Sequence, residues 1–168
     1  MQNASRTGRE SGHHVVKVHV NGVEHDLDLP ASCTLADAIR ERVGLTGTHL
    51  GCEQGVCGAC TVLLDGDPVR ACLIFAVQAE SRQVETVESL GDGGRAHPMQ
   101  EAFVREGALQ CGFCTPGILM LAVGVLARDP HIDDARLKEV MSSNLCRCTG
   151  YGSILRAVQA VRDNALTQ

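Results

Sequence analysis

Aromatic side chains are scarce in this sequence, which has no Trp, one Tyr and three Phe among its 168 residues. The chain therefore offers no stacking platform for single-stranded nucleic acids. Its formal net charge of −5 also argues against a nucleic-acid partner. No run of about 18 apolar residues occurs, so no membrane span is expected. The 44% hydrophobic content is ordinary for a globular protein, and it consists mainly of Val, Leu, Ile and Ala.

Targeting signals are also lacking. Residues 1–12 are polar, with neither an apolar stretch nor a twin-arginine pair. We interpret residues 1–14 as a flexible N-terminal arm and expect the protein in the cytoplasm. Thiols stay reduced there and structural disulfides are rare. The nine cysteines, an odd number, therefore call for metal or redox chemistry.

The first half of the chain, residues 15–88, has the pattern of a small domain with a sheet and one helix. Alternating apolar residues on both sides of Asn21-Gly22 predict a β-hairpin over residues 15–29. A helix follows, with Thr34 as its N-cap, Asp37 completing an imperfect capping box, and Gly44 at its end. The other predicted elements are a glycine-rich loop at 46–60, a strand at 61–64 with a turn at Asp65-Gly66, a return strand or short helix within 69–78, and a last strand through Val84 and Val87.

The second half, residues 89–168, is predicted to be helical after a turn-rich break at 91–94. The first of four helices has an apolar face of Met99, Ala102, Phe103 and Val104. The others are a buried helix that begins at Thr115-Pro116 and stops at Asp129-Pro130, a third at 133–141 and a fourth at 153–161. The predicted fold class is α+β, with a sheet domain followed by a four-helix domain.

Eight of the nine cysteines form two groups of four, one in each half. The first cysteine group is Cys52, Cys57, Cys60 and Cys72, and the second cysteine group is Cys111, Cys114, Cys146 and Cys148. Four thiolates are the full ligand set of one 2Fe–2S cluster, and the C-x4-C-x2-C spacing of the first group is that of plant-type ferredoxins. Glycines beside the ligands let a loop wrap closely and direct N–H groups at sulfur. Cys33 lies outside both groups, and we interpret it as a small buried hydrophobe.

The second cysteine group is predicted to lie at helix ends. Cys111 and Cys114 precede the helix start at Thr115-Pro116, and the other two lie between the third and fourth helices. Helix N-termini directed at an anionic cluster would stabilise its charge.

Other metal and redox sites remain as alternatives. Structural zinc sites also use four thiolates, but paired ligands usually have about two to four residues between them, and Cys146-x-Cys148 has one. A redox dithiol at Cys57/Cys60 or Cys111/Cys114 leaves the other cysteines unexplained. The seven His show no H-E-x-x-H spacing, and no nucleotide-binding glycine motif is present. We therefore expect no catalytic residues and no substrate-turnover site on this chain, as suits an electron carrier.

Three stretches resemble the cluster-binding signatures of the molybdenum hydroxylase (xanthine oxidase) family. They are residues 51–62 (GCEQGVCGACTV) with Cys72, residues 110–117 (QCGFCTPG) and residues 144–151 (NLCRCTGY). The match covers roughly residues 15–162, and a chain of this length resembles the family's small iron–sulfur subunit.

The resemblance implies a β-grasp, ferredoxin-like domain followed by a helical domain. It implies that the first cysteine group binds the distal 2Fe–2S cluster, facing a medium subunit that carries FAD. The second group would bind the proximal cluster, facing a large subunit that carries molybdopterin cytosine dinucleotide. Gln110 and Cys148 would lie against the pterin.

The resemblance further implies that electrons pass from molybdenum through the two clusters to FAD, during hydroxylation of an N-heteroaromatic substrate. The assembly would be a dimer of heterotrimers. The alternatives are a stand-alone ferredoxin-type electron carrier and a zinc-binding interaction module.

Overall fold

The first half of the chain folds as a five-stranded sheet against a short helix. The computed structural model describes residues 12–91 and 94–165. Most of the predicted N-terminal arm, residues 1–11, lies outside the described residues. The first strand begins at His13, two residues earlier than predicted and inside the range assigned to the arm.

The sheet is mixed. Its strands are β1 (His13–Val20), β2 (Val23–Pro30), β3 (Thr61–Leu64), β4 (Asp67–Arg70) and β5 (Gln83–Glu85), in the order β2-β1-β5-β3-β4. β1 pairs with β5 in parallel and the other neighbours are antiparallel. Both predicted hairpin turns are confirmed, with left-handed backbone at Asn21-Gly22 and Asp65-Gly66. This arrangement confirms the β-grasp, ferredoxin-like domain.

The helix of this half begins as predicted and then widens. α1 (Leu35–Asp37) is capped by the Thr34 hydroxyl, which accepts a hydrogen bond from the Asp37 amide at 3.1 Å. A π-helical turn, Ala38–Val43, continues it to Gly44, where the backbone is left-handed. The Arg40 guanidinium donates to the carbonyls of Thr46 and Thr48 and so ties the helix to the loop that carries the first cysteine group.

Two predicted segments of the first half differ in detail. The return segment is both a strand and a helix, because β4 leads into 3-10 turns at Ala71–Leu73 and Ala76–Ala79. Val87 was expected in the last strand, but that prediction was wrong: β5 ends at Glu85, and Val87–Ser89 is a 3-10 turn. The buried Thr86 causes the change, because its amide and hydroxyl both bond to the side chain of Asn21 instead of a neighbouring strand.

The second half contains the four predicted helices. They are α2 (Pro98–Arg105), α3 (Thr115–Arg128), α4 (Asp134–Met141) and α5 (Gly152–Ala165). Their shared core includes Phe103, Ile118, Leu137 and Ile154, all fully buried. Val104 was predicted on the inner face but is 74% exposed, because Ala102 and Phe103 already face inward and the next residue turns away.

α3 joins the two halves through glycines on its inner side. A Cβ on Gly117 would lie 2.4 Å from the carbonyl oxygen of Gly58, and a Cβ on Gly124 would lie 2.7 Å from the Leu63 side chain in β3. Only a residue without a side chain allows such close approach. None of the helices in the part of the chain that the structure describes is long and apolar enough to cross a bilayer.

Candidate iron–sulfur sites

The first cysteine group comes together at one edge of the sheet domain. The loop before β3 carries Cys52, Cys57 and Cys60, and the 3-10 turn after β4 carries Cys72. Cys52 and Cys57 contact each other through their side chains, as do Cys60 and Cys72. The four cysteines span 21 positions of the sequence. In the structure they form two adjoining thiol pairs.

The loop surrounds the outer pair with amide donors. The amides of Cys57 and Gln54 donate to the Cys52 sulfur at 3.3 and 3.4 Å. These bonds lower the pKa of the Cys52 thiol to about 7, because they stabilise the thiolate. The prediction that this loop directs N–H groups at sulfur is therefore confirmed for Cys52.

The inner pair is buried. Cys60 is 2% exposed and Cys72 is 8% exposed. Burial raises the pKa of Cys60 to about 11, and the neighbouring thiols of Cys72 and Cys57 contribute to the increase. Thiolates in such a place need a positive charge beside them, and bound iron would supply it.

Gly58 shows why the loop needs glycine. Its φ is +74°, and a Cβ there would lie 2.2 Å from Oδ1 of Asn144. Asn144 is 1% exposed and lies two residues before Cys146. Its Nδ2 donates to the Gly58 carbonyl at 3.0 Å and to the Thr61 hydroxyl at 3.2 Å. The first cysteine loop is thus fixed by a residue of the second.

The second cysteine group lies where α3 and α5 begin. Cys114 directly precedes α3, and Cys146 and Cys148 lie between α4 and α5. The sulfurs of Cys148 and Cys111 are 3.6 Å apart, and the Cys114 and Cys146 side chains contact each other. The predicted position of this group at helix ends is confirmed.

Exposure differs within the second group as it does within the first. Cys111 and Cys148 are exposed, whereas Cys114 and Cys146 are partly buried. Burial raises the pKa of Cys114 to about 12, and the neighbouring Cys146 and Cys111 add to the effect. Burial also opposes ionisation of Cys146, but hydrogen bonds from Thr149 and the Cys148 amide outweigh it and lower the pKa of Cys146. Bound iron would again stabilise the thiolate form of the buried members.

Tyr151 braces the second group. Its hydroxyl accepts a hydrogen bond from the Cys146 amide and donates to the Asn144 carbonyl, both at 2.9 Å. Its backbone is left-handed, with φ +67°. No individual role of Tyr151 or Asn144 was predicted, although a lone Tyr three residues after Cys148 was a usable signal.

Gln110 lies next to Cys148. Its Nε2 donates to the Cys148 carbonyl at 3.3 Å, and both residues are exposed. A cavity of about 420 Å³ is lined by the other three cysteines of the group, Cys111, Cys114 and Cys146.

Cys33 belongs to neither site. It is half-buried rather than buried, and it packs against the small apolar cluster of Leu29, Ala38 and Ala76. Burial raises the pKa of its thiol.

The donor set fits a binuclear cluster. Within residues 12–91 and 94–165, no three His, Cys, Asp or Glu side chains are arranged around one metal ion. A 2Fe–2S cluster makes a different demand, because four thiolates divide between two irons. In each cysteine group the four thiols form two adjoining pairs, and each pair could bind one of the two irons.

Two known families match this chain, one mainly in each half. Residues 18–89 match the family described as a 2Fe–2S iron–sulfur cluster binding domain. Residues 86–159 match the family described as a 2Fe–2S binding domain. The chain is therefore a protein with two 2Fe–2S domains.

Whole-chain relatives identify the larger family. The gamma subunit of caffeine dehydrogenase from Pseudomonas sp. (strain CBB1) is 48% identical over 151 residues, which cover 88% of this chain and 90% of the relative. The small subunit of nicotine 6-hydroxylase from Paenarthrobacter nicotinovorans is 51% identical over 143 residues, covering 85% and 86%. The crystal structure of quinoline 2-oxidoreductase from Pseudomonas putida 86 contains a similar chain, with a TM-score of 0.87, 48% identity, and coverage of 94% and 98%. The chain belongs to the family of small iron–sulfur subunits of molybdenum hydroxylases.

Proposed function

We propose that this chain relays electrons from a molybdopterin cytosine dinucleotide centre on a large subunit to FAD on a medium subunit. The observation that carries the proposal is the pair of thiol quartets, one in each half, whose loops hydrogen-bond to each other. The bond joins the Leu145 amide to the Cys57 carbonyl at 2.8 Å. Each 2Fe–2S cluster, when bound, accepts and releases single electrons.

The eight cysteines would hold the clusters in pairs. We assign Cys52 with Cys57 and Cys60 with Cys72 to the two irons of the distal cluster. In the proximal cluster, Cys111 with Cys148 and Cys114 with Cys146 would each share one iron. The assignment follows the side-chain contacts within each group.

The exposure of the side chains around each cysteine group supports the partner subunit proposed for it. Cys111, Cys148 and Gln110 are exposed together, as a face toward the large subunit and its pterin requires. Exposed apolar side chains also lie beside the distal group, since Val56, Leu73 and Phe75 are 63%, 59% and 48% exposed. Exposed apolar side chains beside a cofactor site favour burial by a partner, here the medium subunit.

The relatives' names guide the proposed substrate. Caffeine, nicotine and quinoline, named in three of these proteins, are nitrogen-containing ring compounds. We propose that the complex hydroxylates an N-heteroaromatic substrate at a site on the large subunit. We also propose a dimer of heterotrimers, located in the cytoplasm, where cysteine thiols stay reduced. We place the boundary between the two cluster domains of this chain at residues 88 and 89.

Metal analysis tests the proposal. The purified complex should contain about four iron and about four acid-labile sulfide per copy of this chain, from two two-iron clusters. Electron paramagnetic resonance of the reduced complex should show two iron signals and one molybdenum signal. Zinc without sulfide would overturn the proposal. A monomer with both clusters that purifies without larger subunits would favour the stand-alone carrier.

A further inference from the structure

A further side-chain contact joins the two cysteine loops. His49 lies in the loop that carries Cys52, Cys57 and Cys60, and Phe113 lies between Cys111 and Cys114. Nδ1 of His49 is 2.8 Å from the Phe113 carbonyl oxygen. A carbonyl oxygen only accepts hydrogen bonds, so Nδ1 of His49 carries the proton and donates.

The two rings are also stacked. Their centroids are 5.0 Å apart and their planes are inclined by 22°. The Phe113 ring extends to the first loop, because a Cβ on Gly51 would lie 3.4 Å from Cε1 of Phe113 and 3.1 Å from the Cys57 sulfur. The Phe113 ring and the Cys57 sulfur therefore both lie beside Gly51 of the first loop.

The two loops thus exchange hydrogen bonds. His49 of the first loop donates to Phe113 of the second, and Leu145 of the second donates to Cys57 of the first. The Leu145 bond uses backbone atoms only, whereas the His49 bond depends on one side chain. A substitution at His49 can therefore remove it.

We propose that His49 is a positioning residue that holds the two cysteine loops at the separation and orientation needed for electron transfer between them. The inference rests on the proposed relay function. The step moves one electron, which oxidises the iron held by the second cysteine group and reduces the iron held by the first. No bond or proton changes. The hydrogen bond of His49 goes to Phe113 and not to a cysteine of either group. His49 therefore acts through the backbone of Phe113.

Two substitutions separate the hydrogen bond from the ring. His49→Phe keeps an aromatic ring next to Phe113 but removes the donor. His49→Asn removes the ring but retains an amide N–H close to the Nδ1 position. His131→Phe is the matched control, because His131 is an exposed histidine between α3 and α4. His49→Leu is a second donor-removing variant in case His49→Phe does not assemble, because its apolar side chain has no N–H group.

The test uses the complete purified complex. Iron and labile sulfide are measured first in the unsubstituted complex. If that complex contains neither cluster, the result contradicts the proposed relay function rather than the role of His49. The magnetic splitting between the two reduced clusters is then recorded by electron paramagnetic resonance after dithionite reduction. The rate of electron transfer between them is followed after flash photoreduction with deazaflavin.

The expected result is a weaker, broader splitting and slower transfer in His49→Phe and His49→Leu, at full cluster content. Loss of one neutral hydrogen bond shifts the ratio of docked to undocked loops by about fivefold, so the rate should fall by up to about that factor. His49→Asn and His131→Phe should match the unsubstituted complex. The inference is overturned if the donor-removing variants keep both the splitting and the rate, or if His49→Asn is as impaired as they are.

Discussion

The amide of Leu145 donates a hydrogen bond to the carbonyl oxygen of Cys57, at 2.8 Å. Each residue belongs to a cysteine loop of a different half of the chain, and Leu145 is covalently joined to Cys146. Ligands of both groups are therefore connected by two short covalent segments and one hydrogen bond. This connection stays in place only if the two halves of the chain keep their relative positions. The close packing of α3 against the first half holds them there.

Gly117→Ala should weaken the joint between the halves. The new Cβ would lie 2.4 Å from the Gly58 carbonyl oxygen, a backbone atom that moves only with the first cysteine loop. Overpacking of this kind costs ~1–3 kcal/mol in the free energy of unfolding. Denaturant unfolding of the purified chain, followed by circular dichroism, measures the loss.

Gly152→Ala is the matched control for this substitution. The nearest atom to a Cβ on Gly152 is Nη1 of Arg156, at 3.7 Å, and Gly152 begins α5. Alanine is the better helix former by up to ~1 kcal/mol, so this variant should be neutral or slightly more stable. Equal destabilisation by both alanines would show that the close contact of Gly117 does not matter.

Tyr151→Phe should affect the second cysteine group selectively. The variant loses the hydroxyl that accepts from the Cys146 amide and donates to the Asn144 carbonyl. Leaving a partly buried amide without a partner costs ~1–3 kcal/mol. We expect faster loss of iron from the second cluster on dilution with a chelator, with an altered signal for that cluster in electron paramagnetic resonance. If iron loss is accelerated to the same extent in both clusters, Tyr151 does not act on the second cluster alone.

Local patterns made the two cysteine groups and most element ends predictable. The cysteine spacing indicated both groups because neighbouring ligands must come from short loops. The Thr34 cap and the Thr115-Pro116 helix start were predictable because capping depends on residues within one turn. Val104 was misplaced because apolar periodicity does not show which of several adjacent residues the core accepts.

Contacts between the halves could not be predicted from local patterns. Asn144 and Gly58 are 86 positions apart, and Arg70 reaches Ser143 over 73 positions. No spacing rule relates such residues, because their meeting depends on how α3 packs on the sheet. The contact of His49 could not be predicted for the same reason, since its partner Phe113 lies 64 positions away.

Cys33→Ala and Cys57→Ser should separate ligand from non-ligand cysteines. Cys33 packs against Leu29, Ala38 and Ala76, so Cys33→Ala should keep both clusters at a modest cost in stability. Cys57→Ser should disrupt the distal cluster and slow electron transfer to FAD, while reduction of molybdenum by substrate continues. Iron content and electron paramagnetic resonance of each complex measure the outcome. Full retention of both cluster signals and turnover in Cys57→Ser would remove Cys57 from the ligand set.

His97 should make the helical half less stable in mild acid. Its Nδ1 accepts a hydrogen bond from the Met99 amide at 3.1 Å and so caps α2, a role that requires the unprotonated ring nitrogen. Burial holds the pKa of His97 below its ordinary value. The folded state therefore binds this proton less readily than the unfolded state, and the contribution of His97 is complete above the unfolded pKa of about 6.5. It declines as the pH falls through the folded pKa.

His97→Asn isolates this effect, because asparagine also caps helices but does not titrate near neutral pH. Denaturant midpoints of both chains should be compared at about pH 7.5 and about pH 5, on either side of the histidine range. Other titrating groups are common to both chains and cancel in the difference. The unsubstituted chain should lose more stability on acidification than His97→Asn. Equal losses in the two chains would assign the acid sensitivity to other groups.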